Sequence, residues 1–103
     1  MTQKEIVEGV MNICQEVFNQ SPVKNKEVKR DKMSVYAQTA FIVTLHKRGM
    51  PFREIAECLD ASIVNTARLN RCYEDRLKKD IIFREFMGEY KNKLAEWGKG
   101  MSV

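Results

Sequence analysis

Apolar residues recur at three- and four-residue intervals along almost the whole chain, and nowhere do they alternate as a strand requires. Ile6, Val10, Ile13, Cys14, Val17 and Phe18 form one stripe, which predicts an amphipathic helix over residues 4–19. The run "NQSPVKN" ends it, because Pro22 disfavours the helical conformation at Ser21 and cannot extend the ladder itself. After the basic connection "KNKEVKRDK", a second helix is expected from Lys32 to Arg48. Met33, Ala37, Ala40, Phe41, Thr44 and Leu45 share one face of it, and Val35, Ile42 and Val43 widen that face. So broad an apolar surface predicts a central helix touched on several sides. Gly49 is a natural stop, since it accepts positive φ without a Cβ penalty.

Pro51 lies at or near the first turn of the next helix, where a missing N–H costs nothing. Phe52, Ile55, Ala56 and Leu59 give that helix a buried stripe about two turns long. "DAS" reads as a turn, with Ser62 as the N-cap of a further helix. From that helix Ile63, Thr66, Leu69, Tyr73 and Leu77 are expected to face inward, with Asn65, Arg68, Arg71 and Cys72 outward or flanking. Asp80 caps a last helix whose main apolar line is Ile82, Phe86, Tyr90, Leu94 and Trp97, with Phe83 and Met87 beside it. Tyr73 and Trp97 read as core anchors. The expectation is therefore an all-α class with about five helices. Residues 1–98 form a single helical domain, the segment 51–78 a helix-turn-helix, and residues 99–103 a frayed tail.

Composition fits this picture. The 103 residues are 44% hydrophobic and 31% charged, with two prolines and no low-complexity tract, which argues for one folded domain. No apolar run approaches the roughly 20 residues of a membrane span. Glu5 and Glu8 interrupt the region where an export signal would be apolar. Cys14, Cys58 and Cys72 are odd in number and widely spaced, which suits reduced, partly buried thiols and a cytoplasmic location rather than a zinc site or a disulfide framework.

Charge adds more through its distribution than through its net value of +4. The surplus falls in two segments, residues 21–44 and 68–79, each with five basic and two acidic side chains. Two local basic patches suit phosphate binding. Catalytic chemistry finds no such footing. There is no Gly-Lys-Ser/Thr phosphate loop, no nucleophile with a base at hand and no metal-ligand spacing. His46, the single histidine, reads as a surface or packing residue. A non-catalytic protein without metal or cofactor is expected.

A helix-turn-helix needs small or apolar residues at the crossing of its helices and a short turn. Ile55 and Ala56 supply the crossing, Asp60-Ala61 the turn, and Leu69 the return packing. Asp60 stands where glycine is usual, and Thr66 where valine or isoleucine is usual. The frame "YAQTAFIVTLHKRGMPFREIAECL", preceded by a basic loop, resembles the C-terminal DNA-binding domain of the bacterial replication initiator DnaA. Gln38, Ala40, Glu54 and Ile55 match that family's pattern, Ala56 stands for its glycine, and residues 36–59 align without a gap. The resemblance implies a Trp-repressor-like bundle that binds double-stranded DNA and regulates replication or transcription.

It also implies roles. Ser62, Asn65, Arg68 and Arg71 belong to the reading helix, with Asn65 toward adenine and Arg68 toward guanine or phosphate. Lys24, Lys26, Lys29, Arg30 and Lys32 belong to the basic loop, and Arg76, Lys78 and Lys79 extend the backbone contacts. The departure lies in the reading segment. The family's Gly-Gly-Arg-Asp-His-Ser/Thr-Thr-Val is here "DASIVNTA", so the family's base readers are replaced. Ile63 and Val64 at that point support an alternative, a protein-interaction module on the same fold that has lost base readout. The bland alternative for Arg68 and Arg71 is pairing with Glu74 and Asp75.

Overall fold

The computed structural model describes residues 2–20, 22 and 32–101, and among these the chain forms six helices and no strand. Helix α1 is Gln3–Phe18, α2 Lys32–Lys47, α3 Phe52–Leu59, α4 Ile63–Arg71, α5 Tyr73–Lys79 and α6 Ile81–Met101. The all-α class holds, and the tail expected to fray from residue 99 continues α6 as far as Met101.

The ends of these helices follow local chemistry. Thr2 Oγ1 accepts from the Glu5 amide at 3.2 Å and caps α1. Asn19, with φ 55° and ψ 31°, ends it in the left-handed conformation that asparagine tolerates better than most residues. Gly49, at φ 96°, ends the α2 segment as expected. Pro51 sits one residue before the first turn of α3, as its N-cap.

Helix α2 is the centre of the bundle, in contact with α1, α3, α4 and α6. Every residue from Tyr36 to Val43 is buried, with Leu45 beyond them. Its two polar members inside this stretch are accommodated differently: Thr39 donates to the Val35 carbonyl at 2.8 Å, while Gln38 lies at the edge of a surface cleft. A second hydroxyl, that of Thr44, donates to the Ala40 carbonyl at 2.8 Å and lies 2.6 Å from the Tyr90 hydroxyl of α6. A buried hydroxyl without such a partner costs about 1–3 kcal/mol, so these bonds are what allow threonine and tyrosine in the core.

Three expectations are corrected by tertiary packing. The single helix expected beyond Ser62 is two helices, broken at Cys72, although no glycine or proline marks the spot. The break leaves α4 against α2 and α3 while α5 packs on α6, and Tyr73 meets Phe83 edge-on at 6.1 Å. Cys72 at this junction is exposed rather than partly buried, whereas Cys14 is buried. The apolar line of α6 also departs from expectation at its start, while Phe86 stays packed against the core, its ring centroid 5.8 Å from that of Phe18. Ile82 is 56% exposed, and the buried line runs through Phe83, Met87 and Tyr90, with Leu94 and Trp97 packed against the core. The reason is the cap. Asp80 Oδ1 accepts from the Phe83 amide at 3.1 Å and Oδ2 accepts from the Tyr36 hydroxyl, which fixes the rotation of α6 with Phe83 inward. Ile63 is the third correction, and it belongs to the site.

Candidate nucleic-acid interface

The turn between α3 and α4 is built from backbone bonds. Asp60 adopts φ 53° and ψ 46°, its amide bonds the Glu57 carbonyl at 3.2 Å, and the Ala61 amide bonds the Ala56 carbonyl at 3.0 Å. This is a Schellman closure in which an aspartate takes the left-handed place where glycine is commonest. Ser62 then starts α4, its hydroxyl accepting from the Asn65 amide at 3.1 Å. Ile55, Ala56 and Leu69 are buried where the helices cross. Thr66 is fully buried and its hydroxyl donates to the Ser62 carbonyl at 2.9 Å, so threonine fills the place of valine with its polar atom satisfied.

With Thr66 and Leu69 inward, the opposite face of α4 carries Val64, Arg68 and Arg71, all exposed. Val64 is 79% exposed. Ile63, expected inward, is 50% exposed, because it lies roughly a quarter turn away from the Thr66–Leu69 face at about 100° per residue. It borders a concavity shared with Arg53, Glu57 and Asp60 on the α3 side.

On its other flank α4 meets the start of α2 and α5. Lys32, Val35, Gln38, Asn65, Arg68, Leu69 and Arg76 line a cleft of about 310 Å³ there. Among the described residues that line it, the three charged ones are cations from three different helices. Neither Arg68 nor Arg71 pairs with Glu74 or Asp75. Among the described residues the ion pairs are Lys79–Asp75 at 3.3 Å and Lys93–Glu16 at 2.8 Å. Arg68 Nη2 instead donates to Asn65 Oδ1 at 2.7 Å. A guanidinium has no acceptor, so the amide atom facing it must be the oxygen, and Asn65 is left with its two N–H donors.

Lys32 and Arg76 also border the neighbouring groove of about 740 Å³, with Cys72, Asp75, Lys79, Asp80, Ile81 and Ile82. The Asp80 carboxyl there is held below its usual range, first by the Tyr36 hydroxyl and the Phe83 amide, then by the nearby Lys32 and Arg76 charges. Tyr36 in turn is pushed up to about 12, mainly by burial and then by its bond to Asp80. The Tyr36–Asp80 contact therefore ties the N-terminal part of α2 to the start of α6 and sets Lys32 beside Arg76.

Of the residues expected to bind, Ser62, Asn65, Arg68, Lys32 and Arg76 come together around this end of the molecule, with Lys79 in the adjoining groove. Arg71 lies on the exposed face of α4. Lys78 is set apart, in a concavity with Glu74, Leu77, Arg84 and Lys91 on the other side of α5. Lys24, Lys26, Lys29 and Arg30 lie outside the described residues. Val35 and Gln38 join the cleft although their sequence pattern marks them only as scaffold; the usable signal was their spacing of three and six residues from Lys32. His46 does what a packing histidine does. It stacks on Phe52, with ring centroids 4.1 Å apart, and its Nδ1 lies 3.3 Å from the Met50 carbonyl.

No group of three or more His, Cys, Asp or Glu side chains among the described residues is placed to hold a metal ion. No helix among them is long and apolar enough to cross a membrane. The chain matches no protein-family model, no curated protein and no solved structure.

Proposed function

We propose that this chain is a non-catalytic helix-turn-helix domain that binds double-stranded DNA, with α4 in the major groove and flanking cations on the phosphates. The observation that carries the reading is the cleft in which Lys32, Arg68 and Arg76 converge from α2, α4 and α5, with no carboxylate among the described residues that line it. Like charges brought together in this way repel one another, an arrangement that a polyanion stabilises. Asp80 lies near Lys32 and Arg76 without forming an ion pair with either, so one carboxylate faces three cations, and the ion pairs among the described residues lie elsewhere. The sequence resemblance to the DnaA C-terminal domain points the same way and suggests a regulatory part in replication or transcription. Its altered reading segment argues against that family's nine-base-pair site.

Fluorescence anisotropy with a random duplex at two salt concentrations tests the reading. Affinity should fall steeply with salt, and Lys32→Ala and Arg76→Ala should each flatten the log–log slope by about one, the share of one neutralised phosphate. Lys93→Ala, whose ammonium pairs with Glu16 at the α1–α6 contact, should leave the slope unchanged. Absence of binding even at about 50 mM salt would reject the proposal, since non-specific affinity is the least that such a domain must show.

A second reading, a protein-docking module, is favoured by the exposure of Ile63 and Val64 at the start of α4. It predicts a complex that is insensitive to salt and lost in Val64→Asp.

A further inference from the structure

We propose that α4 reads a thymine close to a guanine on duplex DNA, Val64 through the thymine 5-methyl group and the Asn65–Arg68 pair through guanine N7 and O6. This rests on the DNA-binding reading above and names what that site recognises. Two observations carry it.

The first is the bond from Arg68 Nη2 to Asn65 Oδ1 at 2.7 Å. Adenine offers the major groove an acceptor, N7, and a donor, the 6-amino group. An asparagine that clasps it must present its oxygen and its nitrogen together. Here the guanidinium takes one lone pair of that oxygen, so what the pair has left to offer is mostly donors, the remaining guanidinium N–H groups and the two Asn65 amide hydrogens. Such an array matches guanine, whose N7 and O6 are both acceptors. The bond also restrains a long side chain before any ligand arrives, which lowers the ordering cost of a specific contact. The Asn65 backbone is fixed as well, since its amide donates to the Ser62 hydroxyl at 3.1 Å.

The second is Val64, which is 79% exposed four residues before Arg68 on the same outward face. Its isopropyl group lies outside the hydrophobic core formed by the described residues, and the one apolar group that base edges offer the major groove is the thymine methyl. Four residues of helix advance about 6 Å, one to two base-pair steps at about 3.4 Å each. The thymine and the guanine are thus adjacent or separated by one base pair. The occupant is set by charge: Lys32 and Arg76 border this end of α4 and suit the phosphates on either side of the groove.

The test is selection of binding sites from a random duplex pool by the full chain, followed by atom-level changes in a selected duplex. The proposal expects a thymine and a guanine within two steps in the selected sites. Replacing that thymine by deoxyuridine should weaken wild-type binding about fourfold, the worth of one buried methyl group. Val64→Ala should bind the thymine and deoxyuridine duplexes equally. Replacing the guanine by 7-deazaguanine should weaken binding about tenfold or more, and Arg68→Ala should erase the difference. Asn65→Ala, which frees the Arg68 head, should weaken guanine discrimination while leaving salt-dependent binding to random duplex. Selection of adenine at a position that Asn65→Ala makes indifferent would overturn the assignment. So would duplex binding with no base preference, an outcome that leaves the DNA-binding reading standing. Failure to bind any duplex at about 50 mM salt would overturn both.

Discussion

Gly9 lies in the middle of α1, where glycine costs about 1 kcal/mol relative to alanine. The Trp97 ring explains why it is there: a Cβ on Gly9 would stand 2.2 Å from Trp97 Cζ2 and 2.6 Å from Cε2. The missing side chain is the seat on which α6 closes over α1. Gly9→Ala gains helix propensity but forces the ring out, at an overpacking cost of about 1–3 kcal/mol. The expected net result is a loss of roughly 1 kcal/mol in urea unfolding, with a red shift in the emission of the chain's single tryptophan. A Trp97→Leu background should remove most of the loss, because residues in contact are not additive. Periodicity identifies Trp97 as a packing residue, but its partner across the bundle has no signature in the chain. The same holds for Asn65 and Arg68, each recognisable as a candidate reader and neither recognisable as one half of a hydrogen-bonded pair.

The turn between α3 and α4 is an element whose conformation and residue disagree mildly. Asp60 is held at φ 53°, in a region that costs a side chain about 1–2 kcal/mol and a glycine almost nothing. Asp60→Gly should therefore stabilise the domain by up to about 1 kcal/mol, less the extra chain entropy that glycine adds to the unfolded state. Asp60→Val should destabilise it by at least as much, since β-branched residues fit this region worst. Urea midpoints of the two variants check the sign of both effects. Turn and caps were readable in advance because "DAS" and Asp80 act through bonds to neighbours two or three residues away. The break at Cys72 was not. Its cause is the need of Leu69 to face α2 while Tyr73 packs on Phe83, which is a property of the assembled bundle.

Across the whole molecule the core is organised around α2, and it buries groups that must stay uncharged. Burial pushes the Cys14 thiol up to about 12 and Tyr36 up to about 12, and raises Tyr90 further. Each folded-state value lies above the unfolded one, so the unfolded chain releases these protons first. The linked stability is complete below about pH 9 and declines as pH climbs toward about 12. Asp80 has the opposite sign. Its lowered value contributes stability above the ordinary carboxylate range, lost as pH falls through that range and below. Urea midpoints measured across alkaline pH should fall steadily, and Cys14→Ala should reduce the fall in its first unit, before tyrosines ionise in the unfolded chain. The all-α class, the helix ends marked by Pro51, Ser62 and Asp80 and the central place of α2 can be read from the chain alone, because caps, breakers and the 3.6-residue period act over a few neighbouring residues. The rotation of α6, the two-helix form of the 63–79 segment, the exposure of Ile63 and the convergence of Lys32, Arg68 and Arg76 on one cleft cannot. They depend on which faces meet when distant segments pack, and that is settled by shape and by buried hydrogen bonds such as Tyr36–Asp80 across the bundle.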